Sequence, residues 1–431
     1  SIFHGTNDAI TCGYGGQCAV RPAPTAGGVG AVWEDRTQYG NPFVSPHSVK
    51  FPMFGAVTAT NSTSSTRGYI TGTGGYILWA DDATSTGALP WAAVEPEGGP
   101  FRTSDVYFTD SMHGWVVGQF ARLAYTDDRG LTWDTIHPLP DMDFAYLNAI
   151  TFAAGNQVGV AVGQTDTATS LPRIIYNPDV TLVPNWSEPN SISGLKEGPN
   201  WELREVTWTG SGSNSHFWAV GNPGLVLHST DDGVNWNAFV PPAGPLNEPV
   251  PTDYMFSDYN FESVAFADPN HGVFVANRGE SVGRAFAYSV SGNTVSWGEI
   301  GVSSYGDLLE LRDVAIHGGV AYIVGQVMGT TPPVGVLATS TLSGSTWGAM
   351  TVVATVPQCT VATDPLVAEP ILEEVEIDPA GLVWIGGECG RLWTWTATTG
   401  LTEHKSATDS TVRGMSFYGS GAGYFTGSRT G

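Results

Sequence analysis

Short apolar segments alternate with polar residues along most of the chain, and these segments recur in groups of four. The clearest groups span residues 105–136 and 205–239. Each holds an alternating segment, a polar turn, an apolar segment ending in glycine, a third segment, and a turn ending at tryptophan. Alternation with a period of two predicts β-strands, and four such strands in succession predict an antiparallel sheet.

The group of four strands repeats at intervals of about 40 to 60 residues, which is typical of β-propeller blades. The residues that end the second strand mark eight units: Gly72, Gly118, Gly163, Gly221, Ala276, Gly325, Gly386 and Gly427. We therefore predict an all-β, single-domain β-propeller over residues 1–431 with eight four-stranded blades. Seven blades plus an irregular segment is the alternative.

Seven units are predicted as full blades, at about 55–94, 103–137, 146–187, 203–240, 261–300, 311–353 and 372–405. The last unit, residues 412–431, holds only two strands. We expect residues 1–36 to supply its outer strands, one from the segment SIFHGT and one from AVRP or GAVWED. Closing the ring in this way would remove exposed sheet edges.

The charge balance limits the classes of partner. The chain has 17 Lys and Arg against 41 Asp and Glu, a net charge of −24, which opposes binding to nucleic acid or to an anionic membrane surface. No stretch approaches the roughly 20 apolar residues of a membrane helix. We expect no nucleic-acid partner and no direct membrane insertion, and oligomeric state is left open.

Four cysteines fall into two pairs in sequence, Cys12 with Cys18 and Cys359 with Cys389, and neither pair has CxxC spacing. Their even number and the low lysine content favour an oxidising compartment. We predict two disulfides and a mature secreted, periplasmic or cell-surface chain after signal removal. Free buried thiols are the alternative.

Two turns carry a common phrase. The first follows the strand HGWVVG (113–118) and contains Thr126, Asp128, Gly130, Thr132 and Trp133. The second contains Thr230, Asp232, Gly233 and Trp236. The sequence here resembles the BNR or Asp-box β-propellers, most closely those similar to the photosystem II assembly and stability factor.

The phrase suits a turn between the third and fourth strands. Aspartate accepts backbone N–H bonds, glycine allows a positive φ, and tryptophan packs between blades. We therefore assign structural roles to Asp128, Gly130, Trp133, Asp232, Gly233 and Trp236. The resemblance implies that these turns lie opposite the usual binding face.

The candidate site therefore lies at the other face, where the innermost strands begin after loops at about 37–54, 188–202, 241–260 and 354–371. Candidate binding residues at the strand starts are Arg204, Glu205, Arg312, Asp313, Glu374 and Arg413. Arginines there suit a carboxylate or another anion. The alternative is that these charges pair across neighbouring blades.

Loop 241–260 adds Tyr254 and Tyr259 next to Asp253 and Asp258. Such a group suits a sugar or peptide surface or a weak calcium site, and the alternative is packing of the rings on the rim. The nine histidines show no HxH or HExxH spacing. We expect no transition metal and no cofactor.

Three functions remain open. The first is a non-enzymatic extracytoplasmic protein that binds a protein or glycan, as the resemblance to assembly factors implies. The second is a sialidase-like glycoside hydrolase, in which Arg204, Arg312 and Arg413 would act with Glu262 or Glu205. The third is a structural subunit of a surface assembly. No catalytic residue is assigned.

Overall fold

The computed structural model describes a defined subset of the 431 residues. The described residues are 3–4, 8–12, 18–21, 34–35, 46–50, 68–72, 77–80, 92–99, 101–110, 112–136, 145–153, 158–165, 172–180, 185–195, 201–211, 214–239, 259–278, 282–291, 294–302, 305, 309–328, 334–357, 359, 372–378, 380–404, 411–419 and 422–428. Two compact units contain them: residues 1–136 with 358–431, and residues 137–357.

The first unit begins with twelve strands. They are β1 (Phe3–His4), β2 (Asp8–Cys12), β3 (Cys18–Arg21), β4 (Glu34–Asp35), β5 (Pro46–Lys50), β6 (Gly68–Gly72), β7 (Ile77–Ala80), β8 (Ala92–Val94), β9 (Thr103–Phe108), β10 (Gly114–Gly118), β11 (Leu123–Thr126) and β12 (Asp134–Ile136). Strands β5–β8 and β9–β12 form two antiparallel four-stranded sheets.

The second unit follows with strands β13 to β29. They are β13 (Ala145–Phe152), β14 (Gly159–Thr165), β15 (Pro172–Asn177), β16 (Ser191–Ser193), β17 (Glu202–Ser211), β18 (Asn214–Asn222), β19 (Leu225–Ser229), β20 (Asn235–Ala238), β21 (Tyr259–Asp268), β22 (His271–Arg278), β23 (Val282–Ser291), β24 (Thr294–Glu299), β25 (Leu309–His317), β26 (Val320–Val327), β27 (Val334–Ser343), β28 (Thr346–Trp347) and β29 (Thr351–Pro357). They form four sheets: β13–β15, β17–β20 with β16 parallel to β20, β21–β24, and β25–β29.

The chain then returns to the first unit. Its last strands are β30 (Leu372–Ile377), β31 (Val383–Gly387), β32 (Leu392–Thr396), β33 (Gly400–His404), β34 (Thr411–Gly419) and β35 (Ala422–Ser428). Strands β30–β33 form an antiparallel sheet, and a 3-10 turn at Glu388–Gly390 joins β31 to β32. The prediction of an all-β chain is confirmed.

Strands from both ends of the chain share the remaining sheet, in the order β34-β35-β2-β3-β4. Strand β2 pairs parallel with β35, so that Thr11 lies opposite Phe425. The strand beside β35 is therefore Asp8–Cys12. Within the segment SIFHGT the structure describes Phe3 and His4, which form β1 and pair with β2.

One strand boundary differs from the prediction. The first strand of the β5–β8 sheet is Pro46–Lys50, which pairs with β6. It lies inside the segment 37–54 that was expected to be a loop, before the predicted blade start near residue 55. Proline opens the strand there, where a missing backbone donor is tolerated.

The apolar core lies between successive sheets. Strands β10 and β31 are buried at every position, because both of their faces are covered by neighbouring side chains. In the second unit, one cluster joins Val160 of β14 to Phe217 and Trp236 of the β17–β20 sheet. A second joins Trp218 to Phe274 of the β21–β24 sheet. This stacking orients the first strand of each sheet.

Candidate functional site

Each sheet has two ends. The entry end is where the first strand begins and where the second strand turns into the third. The box end holds the turn between the first and second strands and the turn between the third and fourth. In the β9–β12 sheet, Arg129 N donates to Met112 O (3.1 Å), which joins the two turns of the box end.

Every first strand of the eight sheets contains a β-bulge near the entry end. In β17, Leu203 pairs with Gly221 and Glu205 with Val220, so Arg204 has no opposite residue. The corresponding extra residues are His47, Ser104, Asn148, Arg204, Glu262, Arg312, Glu373 and Arg413. All are polar, so the bulge places one polar residue at the start of each first strand.

Glycines near the ends of several second strands allow this bulge. A Cβ on Gly163 or Gly221 would lie 1.8 Å from the carbonyl oxygen of Tyr146 or Glu202. The markers Gly118, Gly163, Gly221 and Gly325 are thus positions of close backbone approach. In β31 the residue opposite the start of the bulge is Gly387, one position after the marker Gly386.

The acidic candidates bind backbone amides beside the bulges. Asp313 Oδ1 accepts from Val314 N (2.8 Å), within its own strand. Glu205 is longer and reaches the next sheet, where Oε2 accepts from Val264 N (3.1 Å). Both amides lie two residues after a bulge, where the ladder is interrupted.

Glu374 makes the same kind of contact in the first unit, because its Oε1 accepts from Met415 N (3.2 Å) of β34. Asp105 repeats the Asp313 contact with Val106 N (2.9 Å). These carboxylates therefore satisfy backbone donors. The sequence had suggested ligand binding for Glu205, Asp313 and Glu374, whereas their contacts described here are with backbone amides.

Glu205→Ala is expected to lower the free energy of unfolding by about 1–3 kcal/mol, because it leaves the Val264 N–H without its acceptor. Glu205→Gln is the matched control, since its amide oxygen can still accept this bond, and it should stay within about 0.5 kcal/mol of the wild type. Urea titration of both variants measures the difference. Equal stability of the alanine variant would contradict the assigned role.

Arg204 is enclosed by polar side chains. Its Nη1 donates to Glu262 Oε2 (2.7 Å) and its Nε to Glu202 Oε2 (3.3 Å). With the Asn222 amide oriented to satisfy both groups, its oxygen accepts from Arg204 Nη2 (2.7 Å). The Arg204 side chain is 39% exposed. Its charge is therefore paired with carboxylates but remains in contact with solvent.

Arg312 pairs within its own strand. Its Nη2 donates to Glu310 Oε1 (2.5 Å), and Gln326 Nε2 donates to Glu310 Oε2 (2.5 Å). Glu310 and Gln326 are buried. Arg204 pairs with the next sheet, as the alternative reading expected, whereas Arg312 does not. The Arg413 side chain lies outside the described residues.

Tyr259 is half-buried, and its ring packs edge-on against Phe286 with 5.5 Å between centroids. Its carbonyl oxygen accepts from Gly224 N (2.6 Å). The Tyr259 ring therefore packs within its own sheet, while its carbonyl oxygen joins the turn between β18 and β19. Tyr254, with Asp253 and Asp258, lies outside the described residues, and the calcium site proposed for that loop stays a prediction.

The first box turn is organised by Asp128. Its Oδ1 accepts from Thr126 Oγ1, Leu131 N and Thr132 N (each 2.9 Å), and its Oδ2 accepts from Thr132 Oγ1 (2.7 Å). Burial raises the pKa of Asp128, but the hydrogen bonds from Thr132, Thr126 and Leu131 outweigh it and lower the pKa below its usual value.

The second box turn corrects the sequence assignment. Its acid is Asp231, whose Oδ1 accepts from Ser229 Oγ (3.0 Å) and Asn235 N (2.9 Å). Ser229 therefore takes the place of Thr126, one residue before the predicted Thr230. Asp232 occupies the position of Arg129 with a φ of 60°. Aspartate tolerates this left-handed conformation.

Asp231→Asn is expected to lower the free energy of unfolding by about 1–2 kcal/mol, and Asp232→Asn to change it little. Burial raises the pKa of Asp231, but the bonds from Asn235 and Ser229 lower it overall. A lowered folded-state pKa stabilises the fold above the unfolded value of 3.8.

This stability is lost as pH falls through the folded-state pKa. The Asp231→Asn deficit should therefore shrink at acidic pH. Melting temperatures of both variants between pH 7 and pH 2 measure it. A larger loss of stability in Asp232→Asn than in Asp231→Asn would support Asp232 as the acid of the second box turn.

The tryptophans of the two turns are buried. Trp133 Nε1 donates to Gly130 O (3.2 Å), and Trp236 Nε1 donates to Gly233 O (2.9 Å). Both glycines have positive φ, 75° and 84°. A Cβ on Gly233 would lie 3.0 Å from Val160 Cγ2 of the preceding sheet. Each turn is thus fixed against a neighbouring sheet.

Cys359 and Cys389 form a disulfide. It ties the turn between β31 and β32 to the segment before β30, at the entry end of that sheet. Cys12 and Cys18 lie opposite each other in the β2–β3 pair. Their side chains lie outside the described residues, so the second disulfide stays a prediction.

No group of three or more His, Cys, Asp or Glu residues suited to a metal ion occurs among the described residues. In the same part of the chain, no helix has the length and apolarity needed to cross a membrane.

The turn between β10 and β11, at the entry end of the β9–β12 sheet, was not predicted as a candidate site from the sequence. Phe120 and Ala121 have φ values of 62° and 45°, and Phe120 is 43% exposed. A left-handed residue other than glycine costs about 1–2 kcal/mol. The corresponding turns contain Gly224 and Gly390, whereas residues 119–122 (QFAR) contain no glycine, and this was the available signal.

Comparison with known proteins gives a partial match. No family model matches the chain. It is 30% identical over 159 residues to "Photosystem II assembly lipoprotein Ycf48" of Synechococcus sp. (strain CC9902), which covers 35% of this chain and 40% of that protein. The match therefore spans less than half of the curated relative.

Two solved structures are similar at the level of the backbone. The first, "YCF48 bound to D1 peptide", is 19% identical with a TM-score of 0.47 and covers 75% of this chain and 88% of that one. The second is the Cps50 (Swd1) β-propeller domain of Myceliophteria thermophila, 8% identical with a TM-score of 0.46, covering 73% and 90%. The chain is thus similar, over part of its length, to a photosystem II assembly lipoprotein.

Proposed function

We propose that the chain is a non-enzymatic, extracytoplasmic β-propeller of eight four-stranded blades that holds a protein partner at its entry end during assembly of a larger complex. The observation that carries this proposal is the 30% identity to an assembly lipoprotein over 159 residues. We carry over only the class of role, protein binding in complex assembly. The partner named for that relative is not transferred.

The location and the closed ring have separate support. The Cys359–Cys389 disulfide suits an oxidising compartment, and the curated relative is a lipoprotein. The pairing of β2 with β35 supports closure of the ring by strands from both ends of the chain.

The contacts of the charged candidates favour binding over sialidase-like hydrolysis. A hydrolase of that type would need Arg204 and Arg312 to hold a substrate carboxylate. Arg204 instead donates to Glu262 and Glu202, and Arg312 to Glu310. Glu205 is engaged with the Val264 amide. Recruiting these groups for catalysis would break contacts that hold first strands in place.

Site-directed photo-cross-linking tests the proposal. A benzophenone amino acid at position 278, the exposed end of β22 at the entry end, is compared with one at position 230, exposed on the second box turn. In an envelope extract of the source organism, we expect a discrete protein adduct from position 278. Position 230 is the matched control and should give none.

A fluorogenic sialoside panel tests the alternative in parallel. Turnover that is lost in Arg312→Gln while the melting temperature is retained would replace the proposal with hydrolysis. An adduct from position 230 alone would place the binding surface at the box end and contradict the proposal.

A further inference from the structure

The entry end of the β9–β12 sheet carries an aromatic and cationic surface patch. It consists of Phe120 with Arg102 and Arg122, and we call it the Phe120 patch. Gln119 N donates to Arg102 O (2.8 Å) and Arg122 N donates to Gln119 O (3.3 Å), so the backbone holds the three residues together. The Arg122 guanidinium carbon lies 5.8 Å from the ring centroids of both Phe120 and Phe101.

The two arginines of the patch differ from other arginines of the chain. Arg173, Arg204, Arg284, Arg312 and Arg391 each contact a carboxylate. Within the described residues, Arg102 and Arg122 contact none, and Arg122 Nε is buried without a hydrogen-bond acceptor. In a chain with 17 basic and 41 acidic residues, two arginines without a carboxylate partner on adjoining backbone segments mark a surface complementary to negative charge.

The backbone adds an independent observation. Phe120 adopts a φ of 62°, a conformation that glycine adopts without strain. The turn itself therefore has no need of phenylalanine. The residue is nevertheless 43% exposed, and the Arg122 guanidinium carbon lies 5.8 Å from the centroid of its ring. Strain retained at an exposed aromatic residue indicates a binding role for its side chain.

We propose that the Phe120 patch binds an acidic segment of the protein partner that also carries an apolar side chain. Phe120 contacts the apolar side chain, and Arg102 and Arg122 donate to the carboxylates on either side of it. The rings of Phe101 and Phe120 hold the Arg122 guanidinium in place, and the donors of a guanidinium suit a carboxylate. The inference rests on the proposed protein-binding function and defines the chemistry of the bound segment.

Fluorescence anisotropy with a labelled hexapeptide of alternating aspartate and leucine tests the inference on the full chain. We expect saturable binding that weakens as salt rises. Phe120→Gly and Arg122→Gln should each weaken it by about fivefold or more. The matched control is Leu131→Ala, since Leu131 is 46% exposed at the box end of the same sheet and should leave binding unchanged.

Melting temperature separates binding from folding. Glycine accepts the φ of position 120, so Phe120→Gly should melt at or above the wild-type temperature while it binds the peptide less tightly. A structural role for Phe120 would instead lower the melting temperature without a selective loss of binding.

Four results would overturn the inference: no binding at about 1 mM peptide, unchanged affinity in Phe120→Gly, equal affinity for a lysine and leucine peptide, or Phe120-dependent binding to phosphatidylglycerol vesicles without peptide binding. If one of these four results is found together with a protein adduct from position 278, the inference fails but the proposed function stands. If peptide binding and the adduct are both lost, the inference and the proposed function fail together.

Discussion

Trp236→Ala is expected to lower the free energy of unfolding by about 3–5 kcal/mol. Trp236 is 0% exposed, and it packs in one cluster with Val160 of the preceding sheet and Phe217 of its own. The substitution opens a cavity between two sheets. It also removes the Nε1 donor from Gly233 O (2.9 Å), which leaves that turn less constrained.

Urea titration followed by tyrosine and tryptophan fluorescence measures this loss. Val295→Ala is the control, because Val295 is 38% exposed on β24 and its truncation should change stability by no more than about 0.5 kcal/mol. A Trp236→Ala chain as stable as the control would show that the second box turn does not join the sheets.

Acidification from pH 6.5 to pH 5 is expected to destabilise the second unit by about 2 kcal/mol, because His228 must stay neutral in the folded state. Burial and, as a smaller cause, the neighbouring His216 together lower the pKa of His228 to about 3. The His228 ring stacks on Trp218 at 3.8 Å and hydrogen-bonds His216 (2.9 Å).

The direction of this pH dependence follows from the pH at which each state binds a proton at His228. The unfolded chain binds a proton at His228 near pH 6.5, whereas the folded chain does so only near pH 3. The stability that His228 contributes is thus present above pH 6.5 and is lost as pH falls below it. His228→Phe should flatten the dependence of the melting temperature on pH between 7 and 5. His317→Ala, at an exposed turn, should retain the wild-type slope.

Much of the architecture could be predicted because its signals are periodic. Alternation located the strands, and the marker glycines located the ends of the second strands. Gly163 and Gly221 show why such a marker works, since a carbonyl oxygen would lie 1.8 Å from an added Cβ at either position. The position of strand β5 was predicted wrongly because the strand begins at Pro46, and proline is more typical of a loop than of a strand.

The second box turn shows that residue types alone do not align the Asp-box phrase correctly with the sequence. Ser229, Thr230, Asp231 and Asp232 offer two placements of the same phrase. Spacing resolves them, because Thr126 and Ser229 each lie seven residues before the tryptophan of their turn. Residue types alone favoured the wrong placement.

The candidate site was harder to predict, because the partners of a charge depend on bulge geometry. The sequence placed Arg204 and Glu205 together at the start of one strand. The bulge separates their roles, so that Arg204 pairs with Glu262 and Glu205 binds the Val264 amide. Phe120 escaped prediction because its distinctive property is a backbone angle, and the only sequence signal for it is the lack of glycine at residues 119–122.

The central claim is that the entry end binds a protein partner and the box end is structural. Hydrogen–deuterium exchange of the full chain, with and without the partner captured at position 278, tests it most directly. We predict added protection in peptides that cover the β10–β11 turn and the starts of β17, β21 and β25, with none at residues 126–133 and 229–236. Protection confined to those two box turns would contradict the claim.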